Sequence, residues 1–213
     1  MISSTAKVFV IDDDASVRKS LQRLLDAAHY ETELFKSASE FLSCSIHSGP
    51  SCVIVDVRMP GLNGLEFQKA LIERGRDEQL VFITGHGDVP MCAQAMKAGA
   101  VDFLPKPFKS KQLLESVERA LARSAGRRRQ ESEKHQAVGL IGRLTPREHE
   151  VMQLVATGML NKQVGAALGM AEKTVKTHRA HVMQKLGITS VAELMIILQK
   201  AEVPLVARPG TKV

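Results

Sequence analysis

The chain has 213 residues, 44% of them hydrophobic and 24% charged, which is enough apolar material for two compact cores and excludes a disordered or fibrous chain. Its net charge of +6 is unevenly divided: residues 1–122 hold 14 Lys+Arg against 16 Asp+Glu, a balance of −2, while residues 123–213 hold 15 against 7, a balance of +8. No apolar run reaches bilayer-spanning length, no leader-like segment opens the chain, and Cys44, Cys52 and Cys92 have neither CxxC nor His-paired spacing, so a soluble protein of the reducing cytoplasm is expected.

In chain order, the first half alternates apolar runs with amphipathic stretches. Strands are expected at 7–11 (KVFVI), 31–35 (ETELF), 52–55 (CVIV), 80–83 (LVFI) and 102–104 (DFL). Between them, Val17, Leu21, Leu24 and Leu25 form a helical stripe, Pro90 opens a helix and Gly99 closes it. Five strands alternating with five helices predict a parallel sheet covered on both faces. Each of four strands runs into a chemically distinctive residue: Asp12, Asp13 and Asp14 after the first, Asp56 after the third, Thr84 after the fourth, Lys106 after the fifth. In an open parallel sheet these endings share the carboxyl edge, where ligand crevices form.

Each residue type suits phosphoryl transfer. Crowded carboxylates repel one another, and a hard divalent cation with oxygen ligands, Mg²⁺ or Mn²⁺, relieves that repulsion. Asp12 and Asp13 are the candidate metal ligands. Asp56 is the candidate nucleophile, giving one oxygen to the metal and accepting a phosphoryl group on the other as an acyl phosphate. The Lys106 ammonium and the Thr84 hydroxyl then serve as preorganised partners for the phosphoryl oxygens.

The strings VIDDD, VDVRMPGLNGLE, FITGHGDVPM and AMKAGAVDFLPKPF resemble the receiver domain of two-component response regulators of the FixJ group, over residues 7–122. The resemblance implies a flavodoxin-like (CheY-like) α/β fold, phosphorylation of Asp56 by a sensor histidine kinase, and a metal pocket of Asp12, Asp13, Asp56 and the Arg58 backbone carbonyl. It also implies a cis Lys106–Pro107 peptide, a switch pair of Thr84 and Phe103, and Arg58 and His86 beside the route of hydrolytic water. Such a domain takes part in its own phosphorylation and dephosphorylation without being a dedicated enzyme. A rival reading comes from Asp12-x-Asp14-x-Ser16, which resembles the nucleophile motif of haloacid-dehalogenase-like phosphatases. That family needs a further acidic pair after its lysine, and no adjacent or near-adjacent Asp pair follows Lys106.

Residues 122–143, ARSAGRRRQESEKHQAVGLIGR, have a basic triplet, three glycines and few large apolar residues. By composition this is a linker, although its charged core is able to extend the preceding helix. The expected organisation is a receiver over 1–122, a linker over 123–142 and a DNA-binding domain over 143–213.

Four short helices are expected beyond the linker. Thr145, Pro146 and Glu148 form a capping box ahead of Val151, Met152, Leu154 and Val155, ending near Gly158. The second helix runs from Asn161 to Gly169 and the third from about Glu172 to Leu186. Ser190 and Glu193 repeat the capping box before Val191, Leu194, Met195 and Leu198. In the third helix Val175, Val182 and Leu186 share one face, while Lys173, Lys176, Thr177, Ala180 and Gln184 cluster opposite. A basic helix with small outward residues suits the major groove.

LTPREHEVMQLVATGMLNKQVGAALGMAEKTVKTHRAHVMQKLG resembles the LuxR-type helix-turn-helix domain, which is an all-α four-helix fold. The resemblance implies base contacts from Lys176, Thr177 and Ala180, phosphate contacts from Asn161, Lys162, Lys173, Thr174 and Lys185, and a dimer face on the last helix. Implied partners are the cognate kinase, double-stranded DNA, RNA polymerase and, once phosphorylated, a second copy joined through residues 89–104; no membrane partner is expected. One departure is Ala171, where many members carry a helix-capping Ser. A basic domain that binds another protein, with only non-specific DNA affinity, is the alternative for this half.

Overall fold

The computed structural model describes residues 6–85 and 89–205. Five parallel strands, β1 (Lys7–Ile11), β2 (Glu31–Phe35), β3 (Ser51–Asp56), β4 (Gln79–Thr84) and β5 (Asp102–Pro105), form one sheet in the order β2-β1-β3-β4-β5. Helices α1 (Ala15–Ala27), α2 (Ala38–Leu42), α3 (Gly64–Glu73), α4 (Val89–Lys97) and α5 (Ser110–Ile141) alternate with them. Every residue of β3 and β4 is buried. Both strands therefore read as unbroken apolar runs, as two-sided burial requires. One face packs Phe9, Phe35, Phe41, Phe67 and Phe82, and the other Val8, Val10, Ile54, Val81, Ile83 and Leu113.

Register brings the strand ends together. Ile11, just before Asp12, lies opposite Val55, just before Asp56. Asp56 lies opposite Ile83, just before Thr84, and Thr84 opposite Pro105, just before Lys106. Strand order reverses at β1, so these residues ring the crevice expected at such a switch point.

Contacts divide the chain into two compact units, with the boundary between Arg128 and Arg129. The stretch read as a linker is helical through Ile141, because α5 continues without a break over 32 residues. Composition misleads here for a tertiary reason. In the first unit, the buried Ser124 Oγ accepts from Ser51 N at 3.0 Å, and Arg128 donates to the carbonyls of His47 and Ser48 at 2.9 and 3.1 Å. In the second unit, Ala137 and Ile141 are buried. Burying an aliphatic side chain contributes roughly 1.5–3 kcal/mol, against about 1 kcal/mol lost at each helical glycine. Gly126 and Gly139 are thus carried inside the helix, and Gly142 lies just past its end.

The second unit contains α6 (Pro146–Ala156), α7 (Asn161–Leu168), α8 (Glu172–Leu186) and α9 (Val191–Lys200). Val151, Met152, Val164, Val175, Val182, Leu186, Leu194 and Leu198 form its core. The Thr145 capping box is complete, with Glu148 N donating to Thr145 Oγ1 and Thr145 N to Glu148 Oε2. The one expected at Ser190 is only half formed. Ser190 Oγ accepts from Glu193 N, but the Glu193 carboxylate takes the Thr189 N–H instead, one residue earlier.

Candidate functional site

At the carboxyl edge of the sheet, Lys106 Nζ lies 3.1 Å from Asp12 Oδ2 and 3.3 Å from Asp56 Oδ1. Asp12, Asp56 and Thr84 are all buried, at 1%, 8% and 0% exposure. Asp12 Oδ1 also accepts from Asp14 N at 2.9 Å. Thr84 is held through its backbone carbonyl, which accepts from Lys106 N at 2.7 Å. The Lys106–Pro107 peptide is cis. Four of the five expected pocket residues thus meet at one edge, while Asp13 stands exposed at its rim.

Electrostatics make this a tense arrangement. Burial raises the Asp56 carboxyl above its ordinary range, the Asp12 charge pushes the same way, and Lys106 only partly opposes them. Lys106 is itself raised: burial would lower it, but the hydrogen bond to Asp12 and the charges of Asp12 and Asp56 outweigh that. Asp56 Oδ1 is buried and faces the Lys106 ammonium at 3.3 Å, too poorly aligned for a regular hydrogen bond. Two buried carboxylates sharing one ammonium leave oxygen lone pairs of the kind that a hard cation satisfies. Among the described residues no group of three or more His, Cys, Asp or Glu side chains is gathered as a metal site. Magnesium does not require one, since it takes one or two carboxylates and keeps several waters.

Asp14 does not join the pocket. It caps α1, accepting from Ser16 N at 2.7 Å, and hydrogen bonds from the Ser16 side chain and backbone hold its carboxyl below the usual range. Phe103 is half-buried against Phe82, with ring centroids 6.0 Å apart. Arg58 is exposed, and His86 lies outside the described residues. Sequence reading overlooked Gly64, where an added Cβ would stand 2.7 Å from the Asp56 carbonyl oxygen. The available signal was a glycine directly after the helix-capping Asn63.

On the second unit, α8 divides as its spacing predicts. Val175, Val182 and Leu186 are buried, whereas Lys173, Thr174, Lys176, Thr177, Ala180 and Gln184 are exposed. Lys162 is exposed on α7, and the Asn161 side-chain carbonyl accepts from Arg179 at 3.2 Å. Gly165 allows α7 to meet the turn before α8, since a Cβ there would lie 2.6 Å from the Met170 carbonyl oxygen. Lys185 has a partner within the fold: its ammonium is 2.6 Å from the buried Glu148 carboxylate, and that bond, with the Thr145 N–H, holds Glu148 down at about 2, while the lysine side chain stays 37% exposed. No side chain caps α8 at Ala171.

Residues 8–118 match the response regulator receiver domain family, and residues 143–198 match the LuxR family of bacterial regulatory proteins. The chain is 47% identical over 193 residues to Nodulation protein W of Bradyrhizobium diazoefficiens, covering 91% of this chain and 85% of that protein. It is 40% identical over 188 residues to the transcriptional regulatory protein FixJ of Azorhizobium caulinodans, covering 88% and 89%. Among solved structures, the response regulator StyR matches with a TM-score of 0.84 at 45% identity, over 92% of this chain and 99% of that one.

Proposed function

The chain belongs to the two-component response regulators that join a receiver domain to a LuxR-type DNA-binding domain, and from this membership we propose that phosphorylation of Asp56 controls how its α8 face engages DNA. The observation that carries the reading is the single ammonium of Lys106 lying between two buried carboxylates, Asp12 and Asp56. One carboxylate is the acceptor and the other a metal ligand.

Asp12, Asp13, Asp56 and the Arg58 carbonyl would hold the divalent ion, with Asp13 turning in from the rim. When bound, Mg²⁺ supplies positive charge against the transferring phosphoryl group. An Asp56 oxygen attacks phosphorus on the kinase's phosphohistidine, forming a P–O bond as the P–N bond breaks. The electron pair leaves with the imidazole nitrogen, which takes up a proton. Lys106 and the Thr84 hydroxyl donate to the phosphoryl oxygens, and Arg58 flanks the path of hydrolytic water. The protein thus takes part in its own phosphorylation and dephosphorylation without being a dedicated enzyme.

The output is a population shift. Thr84 turns toward the new phosphoryl oxygens, Phe103 follows, and the surface over residues 89–104 becomes competent to pair with a second copy. Val89, 82% exposed on α4, gives that surface an apolar element. Two DNA-binding domains, paired also through α9, then reach two half-sites. Lys176, Thr177 and Ala180 read bases, while Asn161, Lys162, Lys173, Thr174 and Lys185 contact phosphates. RNA polymerase is the further partner. We assign the receiver to residues 1–122, the connector to 123–142 and the DNA-binding domain to 143–213. Cytoplasmic placement fits a DNA-binding regulator, and no single helix among the described residues is long and apolar enough to cross a membrane.

The test is direct labelling. Full-length protein incubated with Mg²⁺ and acetyl phosphate gains a phosphoryl group that Asp56→Asn does not. Labelling of the Asn variant at the wild-type level would place the nucleophile elsewhere.

A further inference from the structure

We infer that Arg18 is a positioning residue for the divalent-cation site: its guanidinium grips the backbone of the acidic turn without engaging the carboxylates themselves. This inference rests on the pocket reading above. Arg18 lies in the second turn of α1, and its Nη1 donates to the Asp12 carbonyl at 2.6 Å and to the Asp13 carbonyl at 3.0 Å. Two successive carbonyls at the end of β1 therefore converge on one nitrogen. The turn that carries both acidic side chains is tied to a rigid helix through its backbone.

Two facts separate this role from the ordinary ones. A cation near the start of a helix is opposed by the partial positive charge of that end, so helix energetics do not account for Arg18. Nor does it serve as counter-charge to the acids. The Asp12 carboxylate is taken by the Asp14 N–H at 2.9 Å and by Lys106 at 3.1 Å, and the Asp13 side chain is exposed. Both Arg18 Nη1 hydrogen bonds go to main-chain oxygens.

A small ion such as Mg²⁺ demands near-octahedral oxygen geometry at about 2.0–2.1 Å and tolerates little displacement of its ligands. Groups that orient ligands from behind typically change metal affinity by about 10–100-fold. Arg18 touches no reacting atom, so its removal should act on ion binding and not on the transfer step.

Calorimetric titration of the full chain with MgCl2 tests this for wild type, Arg18→Ala and Arg18→Lys, with melting curves in metal-free buffer as a check on folding. Arg18→Ala should bind Mg²⁺ about tenfold more weakly. Arg18→Lys, which keeps a donor, should fall between the two. Acetyl phosphate labelling of Arg18→Ala should be slow at limiting Mg²⁺ and within about twofold of wild type at saturation, on the same ligand-orientation argument. Equal Mg²⁺ affinity in wild type and Arg18→Ala overturns the inference, as does a labelling deficit that saturating Mg²⁺ does not repair. If Arg18→Ala does not fold, the Arg18→Lys titration decides, and wild-type affinity in that variant overturns the inference. Absence of Mg²⁺ binding by the wild type would instead sink the pocket reading itself, and this inference with it.

Discussion

The two units hold their charged groups in opposite ways. In the receiver, Asp56 is buried, raised by burial and by Asp12, and shares the one Lys106 ammonium with Asp12. In the DNA-binding unit the comparable buried carboxylate, Glu148, is fully committed. It accepts from Lys185 and from Thr145 and is held at about 2. The receiver thus gathers two buried carboxylates around the one ammonium of Lys106. The other unit pairs its buried carboxylate and presents the exposed side chains of Lys173 and Lys176 on α8. Buried tension marks the chemistry, and surface availability marks the recognition.

The strongest way to break this contrast is Glu148→Ala. It removes the partner of the partly exposed Lys185 ammonium and half of a capping box, so the transition of the DNA-binding unit should lose about 2 kcal/mol in thermal unfolding while the receiver transition stays put. Lys176→Ala probes the outward face and should weaken binding to a specific site by about 1–2 kcal/mol, with little effect on random duplex or on melting. Equal losses on both DNAs in an anisotropy titration would remove its role in reading bases.

Asp56→Asn should act with the opposite sign to Glu148→Ala, stabilising the metal-free receiver by about 1 kcal/mol because a disfavoured buried charge disappears. The signs carry over to pH. Glu148, depressed from 4.5, contributes stability that is present above its unfolded value and lost as pH falls from 4.5 toward 2. Asp56, raised above 3.8, is disfavoured when ionised. Its part of the receiver's stability is therefore full below pH 3.8 and lost as pH rises through the folded value. Acidification should strip stability from one unit while partly relieving the other, as two calorimetric transitions would reveal. The smallest effect is expected from Ala171→Ser. A hydroxyl at the uncapped start of α8 should add about 0.5–1 kcal/mol to the same DNA-binding transition.

Much of this contrast was legible in the residues because burial and spacing agree. Cys52–Val55 and Leu80–Ile83 are buried on both faces and so read as strands, and the register then gathers Asp12, Asp56, Thr84 and Lys106 without further information. The inward and outward faces of α8 follow from helical period alone. Long-range bonds were not legible. Nothing local announces that Ser124 reaches Ser51, 73 residues away, or that Lys185 reaches Glu148, 37 residues away.

The central claim, that the inward carboxylate site governs the outward face, is tested most directly by the affinity of the full chain for its selected DNA site with and without acetyl phosphate, in wild type and Asp56→Asn. The expected result is at least about tenfold tighter binding by phosphorylated wild type, in the range typical of a 1–3 kcal/mol coupling, and no change in Asp56→Asn. Identical affinity with and without phosphodonor in the wild type, once its phosphorylation is verified, would contradict it.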